Sequence, residues 1–313
     1  MKAIVIDSYG GREQLKEREV EKPAINENQV LVEIHATSIN PIDWKVREGY
    51  LKDMLPWEFP IILGWDAAGV IAEVGANIKN FKVGDRVFAR PATTRQGTYA
   101  EFVPVDQELL AHMPESMSFE EGAAIPLTGL TAYQCLVDFA EVKKGDKVLI
   151  HAGAGGVGSM AIQIANSIGA YVATTASDKN DELVKSLGAN RVINYQEEDF
   201  SELLEDFDAV LDTMGGEILE KSFNVLKKGG KLISIAGQPS AEKAAEHEVK
   251  VSDFWLEPSG EKLQLLAHLY VSGELKPSIG HVFEFTEQGL KDAHELSESR
   301  HARGKIIIKV KSS

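Results

Sequence analysis

The sequence predicts an α/β protein in which a doubly wound parallel sheet is joined to a second, β-rich domain. From Lys147 onward, short apolar runs alternate with amphipathic helical segments, which is the order of βαβ units in a parallel sheet. A glycine-rich turn, Gly153–Gly158, lies near the start of that region. The first third of the chain instead contains short strand-like runs separated by turn residues.

The glycine-rich turn is the most informative motif. It follows Val148–Ile150, a short apolar run typical of a buried parallel strand, and apolar residues at helical spacing begin at Met160. Residues 153–158 have the G-x-G-x-x-G spacing. Such a turn lets backbone N–H groups approach a pyrophosphate, and the helix N-terminus adds a partial positive charge. A tight turn without a ligand is the alternative, but the strand–turn–helix context favours dinucleotide binding.

The alternating region is predicted to form one domain from residue 121 to residue 275. Its predicted strands are Val148–His151, Tyr171–Thr174, Arg191–Asn194, Asp208–Asp212, Lys231–Ile235 and Val249–Phe254. The predicted helices are Ser159–Ile168, Lys179–Leu187, Phe200–Leu204, Glu217–Leu226 and Gly260–Val271. Repeated right-handed βαβ crossovers of this kind build a doubly wound sheet.

The β-rich domain is predicted to span residues 1–120. Its strand-like runs are Ala3–Ile6, Gln29–Ile34 and Ala67–Val74, and a capping-box pattern at Ser118–Glu121 opens a helix near the boundary. The tail returns to β-like runs at Val282–Phe285 and Lys305–Val310. Residues 276–313 are therefore predicted to rejoin this domain.

Composition excludes several classes of function. The net charge of −15 argues against a nucleic-acid or anionic-membrane partner, because phosphate groups would be repelled. No apolar run reaches the roughly 18–20 residues needed to span a bilayer, and the N-terminus has a strand pattern rather than a signal peptide. Cys135 is the only cysteine, which excludes an intrachain disulfide and a multi-cysteine zinc site. We expect a cytoplasmic protein.

The residues after the second strand of the dinucleotide domain favour NADP(H) over NAD(H). Ala176 stands where a carboxylate would bind a free ribose 2′-hydroxyl. Ser177 and Lys179 instead offer a hydroxyl donor and a cation, which suit a 2′-phosphate. Asp178 argues against NADP(H), since a shifted turn could point its carboxylate at the ribose. For Lys179, the alternative is a solvated surface residue.

With these motifs together, the chain resembles the medium-chain dehydrogenase/reductase superfamily, specifically its zinc-free quinone oxidoreductase and enone reductase branch. The resemblance rests on the glycine-rich turn and on Ser38–Asp43, Leu63–Val70, Val83–Val87, Pro126–Tyr133, Asp212–Gly216 and Gly304–Ile308, in that order and spacing. It implies a GroES-like catalytic domain carrying a Rossmann domain. It also implies NADPH-dependent reduction of quinones or α,β-unsaturated carbonyls, usually by a homodimer.

The resemblance also implies roles for individual residues. Asn40 corresponds to a residue beside the nicotinamide and the substrate, and Thr128 to one near the nicotinamide ring. The pyrophosphate would be lined by Gly155, Gly156, Val157 and Gly158. The 2′-phosphate would meet Ser177, Lys179 and Tyr195, and Phe254 would pack at the nicotinamide end. Asp43 and Asp66 are expected to fix backbone turns rather than act as acids, and His151 to be a satisfied strand-end histidine.

Zinc separates the branches of this superfamily. Zinc-dependent relatives place a cysteine where Asn40 stands and a His-Glu pair where Trp65 and Asp66 stand. A catalytic zinc needs about three protein ligands, so no metal is expected and a zinc alcohol dehydrogenase is disfavoured. The segment Asn40–Lys45 is similar to that of enone and alkenal reductases, which favours an alkenal or a small enone as the acceptor. The alternative function is an NADPH-binding protein with little catalysis, since a binding motif alone does not establish chemistry.

Overall fold

The computed structural model of this chain describes residues 1–311, which form two compact units. The first unit contains Met1–Leu127, Pro258–Val271 and the chain from Pro277 onward. The second contains Thr128–Glu257 and Ser272–Lys276.

The strands of residues 1–311 are numbered in chain order. They are β1 (Lys2–Ile6), β2 (Lys16–Glu19), β3 (Gln29–Ile39), β4 (Ile61–Ile62), β5 (Ala67–Val74), β6 (Arg86–Ala89), β7 (Phe102–Asp106), β8 (Leu110–His112), β9 (Lys147–Ile150), β10 (Tyr171–Ala176), β11 (Arg191–Asn194), β12 (Phe207–Asp212), β13 (Leu226–Ser234), β14 (Lys250–Asp253), β15 (Ile279–Glu284) and β16 (Lys305–Lys309).

The α-helices are numbered in the same way. They are α1 (Pro41–Arg47), α2 (Phe119–Ala124), α3 (Pro126–Tyr133), α4 (Gly156–Ile168), α5 (Asp181–Ser186), α6 (Phe200–Leu203), α7 (Gly216–Ser222), α8 (Ala241–Glu246), α9 (Gly260–Val271) and α10 (Glu287–Glu298). Among the helices of residues 1–311, none has both the length and the apolar character that crossing a bilayer requires.

The second unit contains the predicted doubly wound sheet. Its six strands are parallel and lie in the order β11-β10-β9-β12-β13-β14, so the chain winds outward from β9 in both directions. Leu149, Val210 and Leu232 lie in its buried core because these strands are covered on both faces. The order reverses between β9 and β12, and open α/β sheets bind ligands at the carboxyl ends of strands at such a point. The predicted fold class is confirmed.

The first unit is β-rich, and strands of the tail pair into its larger sheet. A seven-stranded sheet has the order β15-β16-β3-β5-β6-β8, with β7 also paired to β3, and a smaller sheet has the order β2-β1-β4. The tail enters through antiparallel pairing of β16 with β3, in which Ile306 is opposite Ile39. This pairing brings Lys305, the first residue of β16, next to the end of β3, where Asn40 follows.

Two helices of the first unit were not predicted. Helix α1 begins with a proline after Asn40, and the Asp43 carboxylate accepts a hydrogen bond from the Asn40 backbone N–H, which fixes its first turn. Helix α10 follows its N-cap residue Thr286, whose side chain accepts a hydrogen bond from the Gly289 N–H. Most of its residues are polar, so no apolar run marks it in the sequence.

The grouping of the chain differs from the predicted boundaries in two places. Residues 121–127 and helix α9 belong to the first unit rather than to the second. Helix α9 approaches β8 so closely that a Cβ on Gly260 would lie 2.4 Å from the carbonyl oxygen of Leu110. The tightness of this contact explains the grouping, and the domain limits of 120 and 275 remain predictions.

Two buried glutamines anchor the segments at which the second unit ends. The Gln134 amide donates to the Glu257 carbonyl oxygen at 2.6 Å and accepts the Glu257 N–H at 3.2 Å. The Gln163 amide forms the same reciprocal pair with Lys276, at 3.0 and 2.8 Å. Each glutamine therefore satisfies a backbone donor and a backbone acceptor of a crossover segment.

Candidate active site

The glycine-rich turn lies between β9 and α4, and two of its motif glycines are required for a steric reason. A Cβ on Gly153 would lie 2.2 Å from Thr174 Oγ1, and one on Gly158 would lie 2.3 Å from the Ala152 carbonyl oxygen. Both distances are far below van der Waals contact. A Cβ on Gly155 would meet only the Ala152 oxygen, at 3.2 Å, within 4 Å. Gly153 and Gly158 thus permit close packing, whereas Gly155 leaves its outer face open.

The start of α4 provides donors for an anion. Gly155 is its N-cap residue and supplies no side-chain cap, so the first-turn N–H groups of Gly156, Val157 and Gly158 are not satisfied in that way. The helix has 13 residues and ends at Gly169, so its dipole places a partial positive charge at this turn. An open backbone face with several N–H donors fits a pyrophosphate.

The three residues predicted to meet a 2′-phosphate follow two adjacent strands. Ser177 follows β10, Tyr195 follows β11, and the Tyr195 N–H donates to the Ala176 carbonyl oxygen at 3.3 Å. Lys179 is exposed in the turn after Ser177. Their placement at neighbouring carboxyl ends of a parallel sheet brings a hydroxyl, an ammonium and a phenol to one edge.

Asp178 is held by a neighbour rather than left free. Its Oδ1 accepts a hydrogen bond from Asn194 Nδ2 at 2.8 Å, which ties it to the end of β11. The Asp178 carboxylate, which argued against NADP(H) in the sequence, therefore has a hydrogen-bond partner within the protein.

In the first unit, Asp66 is the centre of a buried polar cluster. Its Oδ2 accepts hydrogen bonds from Ser38 Oγ at 2.5 Å and Asn40 Nδ2 at 2.7 Å, and its Oδ1 accepts the Leu127 N–H at 2.7 Å. Asp66 is 0% exposed. These partners lie 26 to 61 residues away along the chain, so Asp66 joins distant elements. The expectation that it fixes a local turn is wrong.

Lys305 completes this cluster. Its Nζ donates to Asn40 Oδ1 at 2.6 Å and to the Ile39 carbonyl oxygen at 3.1 Å, and lies 3.5 Å from Asp66 Oδ2. Burial lowers the pKa of Lys305, whereas the nearby Asp66 carboxylate acts to raise it. Asn40 is 1% exposed, and both ends of its amide are bonded to ionisable groups.

A second buried chain of hydrogen bonds begins at Asp43. Tyr99 Oη donates to Asp43 Oδ2 at 2.8 Å and lies 3.0 Å from His294 Nε2, and Arg47 donates to His294 Nδ1 at 3.0 Å. Arg47 can only donate, so the neutral imidazole carries its proton on Nε2. Burial lowers the pKa of His294 to about 3 and raises that of Asp43 to about 7. As expected, the Asp43 carboxylate bonds a local backbone N–H.

The remaining predicted residues are placed as follows. Thr128 is buried in α3, and Phe254, just after β14, is half-buried and donates its N–H to the Ser234 carbonyl oxygen at 2.9 Å. Asn40 and Thr128 belong to different units. His151 is buried at the end of β9 with Ser222 Oγ 3.0 Å from its Nε2, which confirms the expectation of a satisfied histidine.

The donor set of the cluster does not fit a catalytic zinc. Within residues 1–311, no three His, Cys, Asp or Glu side chains are grouped as metal ligands. Trp65 is buried in the apolar core, and its indole N–H is bonded to the Thr94 carbonyl oxygen at 3.1 Å. Asp66, the one carboxylate at the corresponding positions, is already bonded by Lys305, Ser38 and Asn40.

Comparison with known proteins agrees with this architecture. Residues 26–115 match the model of the alcohol dehydrogenase GroES-like domain, and residues 187–308 match that of a zinc-binding dehydrogenase. The chain is 35% identical over 317 residues to an NADPH-dependent alkenal/one oxidoreductase of Arabidopsis thaliana, covering 98% of this chain and 79% of the relative. This chain belongs to the medium-chain dehydrogenase/reductase superfamily.

Solved members of the superfamily share the whole fold. A quinone oxidoreductase from Coxiella burnetii is 37% identical with a TM-score of 0.92, covering 99% of both chains. A quinone oxidoreductase of Escherichia coli, solved in complex with NADPH, is 29% identical with a TM-score of 0.89, covering 99% of this chain and 100% of that one. The predicted family and fold are therefore confirmed.

Sequence reasoning missed the buried partners of Asn40 and Asp43. Lys305 lies within the motif Gly304–Ile308, but nothing in that motif indicates a buried ammonium. Tyr99 and His294 lie outside every motif that was identified. One signal was available for Lys305, because a lysine that begins an otherwise apolar strand needs an acidic or carbonyl partner if it is buried.

Proposed function

We propose that this protein is an NADPH-dependent oxidoreductase that transfers hydride to a quinone or an α,β-unsaturated carbonyl compound without a metal. The observation that carries the proposal is the turn at Gly153–Gly158, whose open backbone face at Gly155 fits a pyrophosphate. The named activities of the alkenal/one and quinone oxidoreductase relatives supply the reaction class.

NADPH would be held by the second unit. Gly155, Gly156, Val157 and Gly158 would contact the pyrophosphate, and Ser177, Lys179 and Tyr195 would contact the 2′-phosphate. When bound, NADPH supplies the hydride. Thr128 and Phe254 are proposed to lie at the nicotinamide end, which would fix the ring relative to the acceptor.

A conjugated acceptor suits a site without a metal. Reducing an isolated ketone leaves a localised alkoxide that needs strong stabilisation, whereas the charge formed from an enone or a quinone is delocalised. Asn40 is proposed as the group of the first unit that contacts the acceptor, because its carboxamide can donate a hydrogen bond to a carbonyl oxygen. The similarity of Asn40–Lys45 to enone and alkenal reductases favours an alkenal or a small enone.

We also propose that the protein is a cytoplasmic homodimer with a small-molecule substrate and without nucleic-acid or membrane partners. The net charge of −15 supports the exclusion of polyanions. The dimer rests on the resemblance alone, and sedimentation or light scattering of the purified protein tests it.

The deciding experiment follows NADPH absorbance with a benzoquinone, a naphthoquinone, a 2-alkenal, a cyclic enone and a simple ketone, with NADH in parallel. We expect turnover with NADPH and the alkenal or cyclic enone and none with the ketone. Tight NADPH binding without oxidation by any acceptor would favour the alternative of a binding protein. Stoichiometric zinc measured by emission spectroscopy would contradict the metal-free site.

A further inference from the structure

The carboxamide of Asn40 has a fixed orientation. An amide can be turned end for end at little steric cost, so its orientation depends on its partners. An ammonium only donates and a carboxylate only accepts, so Lys305 Nζ at 2.6 Å must face Oδ1 and Asp66 Oδ2 at 2.7 Å must face Nδ2. Reversing the amide would place a donor against a donor and an acceptor against an acceptor.

One hydrogen of the amide remains for a ligand. Nδ2 carries two hydrogens, and only the bond to Asp66 uses one of them among residues 1–311. Asn40 is also the N-cap residue of α1, and Lys305 and Asp66 bond the two ends of its carboxamide. The orientation of the amide is thus set by the cluster.

Lys305 also changes the strength of that donor. A cation bonded to the carbonyl oxygen of an amide withdraws electron density from its nitrogen, and hydrogen bonds in series strengthen one another where the dielectric constant is low. Lys305 and Asp66 are both at most 3% exposed, so water screens this effect little.

We propose that Lys305 and Asp66 are positioning residues that orient the Asn40 carboxamide and present its second N–H to the carbonyl oxygen of the acceptor. This inference rests on the proposed function, because it assigns Asn40 the role of a donor to the developing oxyanion. It adds that the Lys305 ammonium and the Asp66 carboxylate hold the Asn40 amide in the orientation of a donor.

The first test compares Lys305→Met with Lys309→Met, a control on the same strand whose lysine is partly exposed and lies 4.0 Å from Glu120. With an enone as the acceptor, we expect Lys305→Met to lower kcat by about 10–100-fold, the range for loss of a group that orients a functional residue. The Kd for NADPH should change by less than about twofold, because the nucleotide turn is in the other unit. Lys305→Arg should recover part of kcat, since it retains a buried donor and the charge.

A double-mutant cycle separates positioning from a general structural effect. If Lys305 acts through Asn40, then Asn40→Ala combined with Lys305→Met should be no slower than Asn40→Ala alone. Multiplication of the two losses would overturn the proposal, as would full kcat in Lys305→Met.

A spectroscopic measurement tests the interaction of Lys305 with Asn40 without turnover. In ¹⁵N-labelled protein, the side-chain NH₂ signals of Asn40, assigned by their loss in Asn40→Ala, should move in Lys305→Met and stay in place in Lys309→Met. Unmoved signals in Lys305→Met would overturn the proposal. Failure of the proposed function would appear differently: the Asn40 signals would still move in Lys305→Met, but the wild-type protein would bind NADPH and reduce no acceptor.

Discussion

The buried carboxylate of Asp43 makes a sharp prediction about stability and pH. Asp43 is 0% exposed, and Oδ2 accepts the Asn40 N–H and the Tyr99 hydroxyl, whereas Oδ1 has no hydrogen-bond partner among residues 1–311. Burial raises its pKa from 3.8 to about 7. A group with a raised pKa stabilises the folded state while it is protonated, and this contribution is lost as the pH rises from about 4 through about 7.

The variant Asp43→Asn removes this titration and keeps one carbonyl oxygen for both donors. Raising a pKa from 3.8 to about 7 corresponds to about 4 kcal/mol. The free energy of unfolding of wild type, relative to that of the variant, should therefore fall by up to about 4 kcal/mol between pH 4 and pH 8. A constant offset from the unpaired amide N–H would shift the difference at every pH equally and leave its slope unchanged.

The assay is the thermal midpoint of both proteins at several pH values, with Asp53→Asn as a control at an exposed carboxylate. The gap between wild type and Asp43→Asn should change by on the order of 10 °C across this range, and the gap to the control should stay constant. Parallel curves for wild type and Asp43→Asn would refute the reasoning. If the stability of wild type relative to Asp43→Asn instead increased with pH, the two hydrogen bonds to the Asp43 carboxylate would outweigh the cost of burying its charge.

Three further predictions follow from other parts of the molecule. Lys179→Ala should raise the Kd for NADPH by about tenfold, the effect of losing one charge-assisted hydrogen bond, and should change the Kd for NADH by less than about twofold. Fluorescence titrations measure both constants, with Lys185→Ala as the control. Equal losses of affinity for NADPH and NADH would contradict the 2′-phosphate assignment. Gly158→Ala should abolish NADPH binding, because the added Cβ would lie 2.3 Å from the Ala152 oxygen and push α4 off the turn, and wild-type affinity would contradict this. Cys135 is buried and burial raises its pKa, so its thiol should resist a disulfide reagent until urea unfolds the protein.

The sequence predicted the second unit more completely than the first because its signals are local. Strand β11 has the predicted bounds, Arg191–Asn194. In the first unit, the local capping box at Ser118 likewise opens α2 as expected. Apolar runs, a glycine turn and capping residues are each formed within about ten residues, so they can be recognised without the fold. Helix α10 was missed because few of its residues are apolar: Leu290 and Ala293 are buried, and Leu296 packs partly buried against the core.

The buried cluster could not be predicted because its bonds join residues far apart in sequence. Lys305 and Asn40 are 265 positions apart, and His294 and Tyr99 are 195 apart. Only the antiparallel pairing of β16 with β3 brings Lys305 to Asn40, and a one-residue slip of that register would turn the lysine to the other face. Family resemblance identified Asn40 but carried no information about the groups that hold it.

The position of this cluster is itself an argument for function. Lys305, Asp66 and Asp43 are almost fully buried, and ionisable groups removed from water cost several kcal/mol each unless they are well paired. Two backbone segments elsewhere are bonded at lower cost, by the neutral amides of Gln134 and Gln163 with both ends satisfied. A fold selected for stability alone would lose little by replacing a buried ion pair with apolar side chains of similar volume. Two of these groups, Lys305 and Asp66, bond the carboxamide of Asn40, so their desolvation is the cost of fixing that amide in a single orientation.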